Sequence, residues 1–193
     1  MARRRVPSDE WQYRERSSTE VRGTLLRLTL EFVLAVRELP GVLRIGMLGS
    51  LVTDKARPKD VDMLVSVMPG LDLTHLARLA RRFQGGAQGI NSTADVFLAT
   101  LDGTYLGRVC RYRECYPRVR CQARHCGAQP HLNDDLDALA LAPEVVKAPP
   151  LIVHPTVSAT GTVPADVLRL LLEPLQGGGP RPGIAGQSIL RAL

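Results

Sequence analysis

The apolar residues of this chain fall into stretches with helical spacing and stretches with strand spacing. Helical spacing begins after Ser17-Ser18-Thr19-Glu20, where glutamate follows the first serine by three positions, as in a capping box. The apolar stripe predicts a helix that ends near Glu38, because Pro40-Gly41 follows it. Two further helices are predicted, one from Asp72 as N-cap to Phe83, ended by Gln84-Gly85-Gly86, and one from Pro164 to Leu172, stopped by Pro174.

Short runs of β-branched and apolar residues predict four strands. They are Val42–Leu48, Asp60–Val67, Thr93–Thr100 and Thr104–Cys110, and Asp102-Gly103 between the last two is a hairpin signal. Helices and strands that alternate in this way indicate an α+β fold, a mixed β-sheet with helices packed on one side.

Composition and punctuation divide the chain into five parts. We expect an N-terminal arm at 1–16, a core at 17–109, a cysteine-rich insertion at 110–131, a C-terminal extension at 132–175 and a flexible tail at 176–193. The hydrophobic content of 45% and charged content of 23% are ordinary for a globular protein. No run reaches membrane-spanning length, and Arg3-Arg4-Arg5 is not followed by the apolar stretch of a signal peptide. We therefore expect a cytoplasmic protein without a membrane partner.

Three acidic residues lie within predicted strands. Asp60 and Asp62 are two positions apart, so their side chains point to the same face of a strand. Two like charges on one face repel each other unless a cation lies between them, and a ligand set of oxygens alone suits Mg²⁺ or Mn²⁺. Asp95, on a later strand, is a candidate third carboxylate. The apolar runs around these acids make a merely solvated face the less favoured alternative.

Gly49-Ser50 ends the first predicted strand, and nine residues separate Ser50 from Asp60. Glycine permits a close approach of the backbone to a ligand, and the serine hydroxyl with adjacent N–H groups can hold phosphate oxygens. The loop that follows carries Lys55, Arg57 and Lys59, which could offset negative charge on a phosphate leaving group. A phosphate cradle, metal-binding carboxylates and a basic loop together indicate nucleotidyl transfer.

This order of motifs resembles the DNA polymerase beta-type nucleotidyltransferase superfamily, and its small, minimal members in particular. The resemblance covers roughly residues 40–100. It implies that Gly49 and Ser50 contact nucleotide phosphates and that Asp60 and Asp62 bind the metals. It also implies that Asp95 is the third carboxylate, which in that superfamily helps to activate the attacking hydroxyl. Nothing outside this stretch indicates a subfamily.

We therefore expect a Mg²⁺-dependent transferase that moves a nucleoside monophosphate from an NTP, with ATP as the expected nucleotide, to an acceptor hydroxyl. The alternative is a non-catalytic protein that keeps the fold and binds a partner, such as the antitoxin of a toxin–antitoxin pair. The acceptor stays open between a protein, RNA and a small molecule. A net charge of +6 and arginine-rich patches favour a polyanion, but such surfaces are also common in GC-rich coding sequences.

All four cysteines lie within seventeen residues, at Cys110, Cys115, Cys121 and Cys126, with His125 beside the last. In a reducing compartment, this density favours metal or redox chemistry over disulfides. A structural zinc site would hold together an insertion that has little apolar content. The spacing is not the usual zinc knuckle, however, so scattered reduced thiols remain an equal alternative and disulfides a lesser one.

Overall fold

The computed structural model describes residues 18–111, 129–134 and 139–177, and its centre is a seven-stranded mixed sheet. The strands are β1 (Val42–Leu48), β2 (Asp60–Val67), β3 (Thr93–Ala99), β4 (Tyr105–Val109), β5 (Leu132–Asn133), β6 (Leu151–His154) and β7 (Ser158–Ala159). Their order across the sheet is β5-β4-β3-β2-β1-β6-β7. Among the strands in the described residues, only β2 and β3 pair in parallel, and the other neighbours are antiparallel.

Two long helices cover one face of the sheet. They are α1 (Ser18–Val36) and α2 (Thr74–Gln88), and α2 is the crossover between the parallel strands β2 and β3. Their buried apolar residues join those of the strands in the main hydrophobic core. At the contact between the helices, the rings of Phe32 and Phe83 stack with their centroids 4.7 Å apart.

The second helix is longer than predicted. We expected Gln84-Gly85-Gly86 to end it, but α2 continues to Gln88. A Cβ at Gly86 would lie 2.8 Å from Leu28 Cδ2 on α1. Gly86 therefore permits close packing of the two helices and does not act as a terminator. At the other end the N-cap is Leu73, not the predicted Asp72, whose carboxylate accepts hydrogen bonds from Thr74.

The C-terminal helical segment also runs past its predicted end. It consists of α4 (Ala165–Val167), a π-helical turn (Leu168–Leu172) and α5 (Glu173–Gln176). Pro174 does not stop the segment, because it falls in the first turn of α5, where a missing N–H is tolerated. Val167, Leu171 and Leu172 pack into the main core.

The opposite face of the sheet carries a second, smaller apolar cluster. It contains Leu48, Leu64, Phe97 and Val146, the last of which lies on the short helix α3 (Pro143–Lys147). Arg44 on β1 holds α3 to this face, because its guanidinium donates to the carbonyl oxygens of Val146 and Lys147, each at 2.7 Å. These carbonyls lie in the last turn of α3, where a cation is favourable.

The prediction of an α+β protein with a mixed sheet is confirmed, as are the positions of β1 to β4 and the β3–β4 hairpin. The expectation of helices on one side holds for α1 and α2, whereas α3 contacts the other side. None of the helices in the described ranges is long and apolar enough to cross a membrane.

Candidate functional site

The three predicted acids come together where the parallel strands β2 and β3 begin. Asp60 and Asp62 are the first and third residues of β2, and the buried Val61 between them points into the main core. In the ladder Asp62 is the direct partner of Asp95, the third residue of β3. Because side chains alternate along a strand, all three carboxylates lie on the face that also carries Leu64 and Phe97.

Asp62 is the most perturbed of these groups. Its pKa is raised from 3.8 to about 6, first because burial disfavours the charged carboxylate and then because Asp60 and Asp95 repel it. The carboxylate therefore lies in a negative field that a nearby cation would relieve. A strongly shifted group beside like charges is a frequent property of functional sites.

Gly49 and Ser50 lie directly against the paired acids. They open a 3₁₀ turn (Gly49–Val52) that follows β1, and the last residue of β1, Leu48, pairs with Asp62. Gly49 has a φ of +72°, and a Cβ at this position would collide with Oδ2 of Asp62. The Ser50 hydroxyl donates to Oδ1 of Asp60 at 3.1 Å. Only glycine therefore fits at position 49 without moving the Asp62 carboxylate.

A partly buried ion pair holds the loop after Gly49 in place. Arg22 on α1 contacts Asp166 on α4, with Nε to Oδ2 at 2.5 Å and Nη2 to Oδ1 at 3.1 Å. The same guanidinium donates to the carbonyl oxygens of Leu51 and Lys55, both at 3.1 Å. The hydrogen bond from Arg22 lowers the pKa of Asp166. One arginine thus joins α1, α4 and the Gly49–Lys55 loop.

Two arginines approach the third acid from the neighbouring strand. Arg108 lies on β4, and Arg111 follows two residues after that strand ends. Nη2 of Arg111 is 2.6 Å from each carboxylate oxygen of Asp95. Nη1 of Arg108 is 3.7 Å from Oδ1 of the same carboxylate. Asp95 is therefore compensated by positive charge in this structure.

The predicted basic loop is less engaged. The side chains of Lys55, Arg57 and Lys59 are exposed, and none of them takes part in an ion pair with the three acids within the described ranges. The predicted cysteine site falls mostly outside those ranges, since Cys115, Cys121, Cys126 and His125 are not described. Cys110 is buried, and its backbone N–H donates to the carbonyl oxygen of His131 at 2.8 Å.

The acids fit a hard divalent cation by their chemistry. They offer carboxylate oxygens alone, and the pKa of Asp62 is raised by burial and then by the like charges of Asp60 and Asp95, which such a cation would neutralise. The part of the chain that the structure describes contains no group of three His, Cys, Asp or Glu side chains already arranged to hold a metal ion. Asp95 directs both of its oxygens at Arg111, so it would have to leave that arginine to join Asp60 and Asp62.

Comparison of the chain with protein-family models, with curated proteins and with solved structures finds no match in any of the three. The assignment of a function therefore depends on the residues and their geometry.

Sequence reasoning did not single out four charged residues of this site: Arg22, Asp166, Arg108 and Arg111. The sequence did indicate that Arg22 is buried, because this residue stands three positions before Leu25 on the buried stripe of α1. In the sequence, Arg108 and Arg111 belong to one of the arginine-rich patches, and nothing local relates them to Asp95. The place of Arg108 beside Asp95 depends on the pairing of β4 with β3, in which Arg108 is the partner of Phe97.

Proposed function

We propose that this protein is a Mg²⁺- or Mn²⁺-dependent nucleotidyltransferase, which moves a nucleoside monophosphate from an NTP to a hydroxyl acceptor. The observation that carries the proposal is the contact between Gly49 and Asp62, beside Asp60 and opposite Asp95. It joins a tight backbone turn suited to phosphates and a set of carboxylates suited to a divalent cation. Nucleotidyl transfer needs both in one place.

Each residue has a role in this proposal. Asp60 and Asp62 hold the divalent cations, and Asp95 binds one of them and accepts the proton of the acceptor hydroxyl. The N–H groups at Gly49 and Ser50, with the Ser50 hydroxyl, orient the β- and γ-phosphates. Lys55, Arg57 and Lys59 offset the charge of the leaving pyrophosphate from their exposed loop. When bound, the cations supply charge stabilisation on the transferring phosphoryl group.

A second candidate is supported by a different observation. Asp95 is occupied by Arg111 and flanked by Arg108. A permanent ion pair of this kind would remove the third carboxylate from catalysis. The chain would then be a binding protein that keeps the fold without the reaction, such as an antitoxin-like partner.

Incubation of the protein with α-labelled NTPs and Mg²⁺, alone and in cell extract, separates the two candidates. Label that is transferred to RNA, to a protein or to a small molecule supports the enzyme. A folded protein that gives no transfer with any NTP supports the binding candidate. Asp60→Asn and Asp62→Asn test whether any transfer depends on these acids. Asp54→Asn is their matched control, because it removes one exposed aspartate from the loop without changing the three acids.

Thermal melting gives an independent measure of nucleotide binding. Mg²⁺ with NTP at a hundredfold excess over the dissociation constant should stabilise the folded protein by about 2.7 kcal/mol. Ser50→Ala should reduce this stabilisation modestly, because backbone N–H groups still face the phosphates. A melting curve that neither metal nor NTP displaces would contradict the proposal.

A further inference from the structure

The arginines beside Asp95 lie at one end of a row of polar and charged groups that crosses the sheet. Following the strand order from β1 to β4, the row starts at the Gly49-Ser50 turn after β1 and continues with Asp60 and Asp62 on β2. Asp95 on β3 comes next, and Arg108 and Arg111 complete the row. The turn and the arginines therefore lie on opposite sides of the acids.

This order separates the two substrates of the proposed reaction. If the nucleotide phosphates bind at Gly49-Ser50, the attacking hydroxyl must approach the α-phosphate from the opposite side, since the displacement is in line. The opposite side of the acids is the side of Asp95 and the two arginines. Groups of the acceptor next to its reacting hydroxyl would then face Arg108 and Arg111.

We propose that Arg108 and Arg111 form a phosphate-binding site for the acceptor, whose hydroxyl therefore lies near a phosphate or phosphodiester group. The proposal rests on the function proposed above and narrows its acceptor. A guanidinium binds phosphate through paired N–H donors and carries a positive charge. Two neighbouring guanidinium groups therefore suit a phosphate as a ligand. An RNA 3′ end and a small sugar phosphate share this chemistry.

Arg111 is bound to Asp95 and is still accessible to solvent. The side chain of Arg111 is 46% exposed while that of Asp95 is 17% exposed, so the arginine has the freedom to turn toward solvent. A divalent cation at Asp95 would compete with Arg111 for the same two oxygens. Arg111 would then be able to bind an anion. Asp95 and that anion therefore compete for the guanidinium of Arg111.

This competition gives a test that does not depend on turnover. Fluorescence anisotropy of a labelled short single-stranded RNA with a free 3′ hydroxyl is measured without nucleotide, with and without Mg²⁺. Arg111→Gln should weaken RNA binding about tenfold, and Arg108→Gln should weaken it in the same direction. Each change should reduce the slope of log affinity against log salt by about 0.7. Arg82→Gln, at an exposed position on α2, removes the same charge as a control and should have no such effect.

Asp95→Asn provides the second arm. Without Mg²⁺ this change should strengthen RNA binding, because it removes the carboxylate that competes for Arg111. An arginine with a purely structural role would not give a gain. Ribose 5-phosphate is then added as a competitor. If it displaces the RNA, the site binds a single phosphate. If it does not displace the RNA, the site needs a phosphodiester chain. Either result supports a phosphate-bearing acceptor.

The proposal is overturned if Arg111→Gln binds RNA as the wild type does, if Arg82→Gln loses as much affinity, or if Asp95→Asn brings no gain. Transfer of label to a protein hydroxyl that continues unchanged in Arg111→Gln would also overturn it. These results leave the transferase itself standing. Failure of the transferase would appear elsewhere, as a wild-type protein that neither transfers label nor gains stability from Mg²⁺ and NTP.

Discussion

Arg22 and Asp166 are 144 positions apart in the sequence and form an ion pair. This pair contacts the Gly49–Lys55 loop, which is the candidate phosphate-binding loop. The Arg22 side chain is 8% exposed, so its charge is almost fully removed from water. Its remaining donors reach the carbonyl oxygens of Leu51 and Lys55. The pair therefore fixes the backbone that carries Ser50 and joins the C-terminal helical segment to the site.

Replacement of Arg22 by lysine should loosen this loop. An ammonium group cannot reproduce the planar fork that serves the carboxylate and two carbonyl oxygens together. We expect a loss of about 2 kcal/mol in the free energy of unfolding, measured by urea denaturation. The stabilisation by Mg²⁺ and NTP should also decrease, because Ser50 is held less well. Asp166→Asn should act in the same direction, since it leaves Arg22 buried without its counter-charge.

Arg27→Lys is the matched control for this experiment. Arg27 lies on the same helix, is exposed and donates a hydrogen bond to the Thr24 hydroxyl. Its replacement should change stability by less than about 0.5 kcal/mol and leave nucleotide binding intact. Equal effects of the two lysine variants would show that Arg22 has no special role in the loop.

Gly49→Ala should harm nucleotide binding more than its backbone strain alone explains. Gly49 and Gly70 have nearly the same φ, +72° and +75°, but only Gly49 has a neighbour that a Cβ would strike. Gly70→Ala should therefore cost about 1 kcal/mol of stability, from the left-handed backbone alone. Gly49→Ala should cost about 2–3 kcal/mol and displace the Asp62 carboxylate. Thermal melting with and without Mg²⁺ and NTP tests both, and equal behaviour would remove the argument for close approach at Gly49.

Local patterns predicted the elements that carry the acids. The spacing of Asp60 and Asp62 fixed their common face, and β-branched neighbours predicted both strands, as the structure confirms. The parallel pairing that sets Asp62 opposite Asp95 depends on α2 as a crossover, and the predicted order of strand, helix and strand is consistent with it.

Contacts between distant segments could not be predicted in the same way. The place of Arg22 on the buried stripe of α1 is visible in the local sequence, but nothing local identifies Asp166 as its partner. Their pairing follows only once the C-terminal segment packs on α1. The predicted end of α2 is wrong for a similar reason. Gly86 permits close packing against Leu28 on another helix, and this contact is not visible in the local sequence. The strands β5 to β7 are two to four residues long and carry too little periodicity to identify.

Asp60→Asn and Asp62→Asn should each reduce the rate of nucleotidyl transfer by at least about a hundredfold while the protein stays folded. An amide keeps the shape of the side chain but is a poorer ligand for a divalent cation. The loss is measured with α-labelled NTP and an acceptor found in extract, beside the Asp54→Asn control. Full activity in either variant would exclude the assignment of these residues to the metals.

The cysteine cluster predicts a separate metal, which elemental analysis can test. If Cys110, Cys115, Cys121 and Cys126, or His125 in place of one, bind zinc, the protein purified under reducing conditions should contain about one equivalent. Chelation should then expose the bonds between Arg111 and Arg124 to protease before it affects the core. Protein that lacks zinc and has four freely titrating thiols would support the alternative of scattered reduced cysteines.

The raised pKa of Asp62 predicts how stability depends on pH. Because this pKa moves from 3.8 up to about 6, the folded protein binds more protons than the unfolded chain between these values. The free energy of unfolding of the metal-free protein should therefore decrease as pH rises through this window and become level above it. The part due to Asp62 should be about 1–2 kcal/mol, allowing for solvent screening of a partly exposed group.

Urea denaturation at several pH values, in the presence of a chelator, isolates this contribution as the difference between wild type and Asp62→Asn. The variant cannot ionise, so it should be more stable than the wild type above about pH 6 and should lose that advantage toward pH 4. Asp54→Asn provides the same change of charge at an exposed position. Mg²⁺ should narrow the difference at high pH, because it compensates the carboxylates in the wild type alone. A difference that does not change with pH would mean that burial and the two neighbouring carboxylates do not raise the pKa of Asp62.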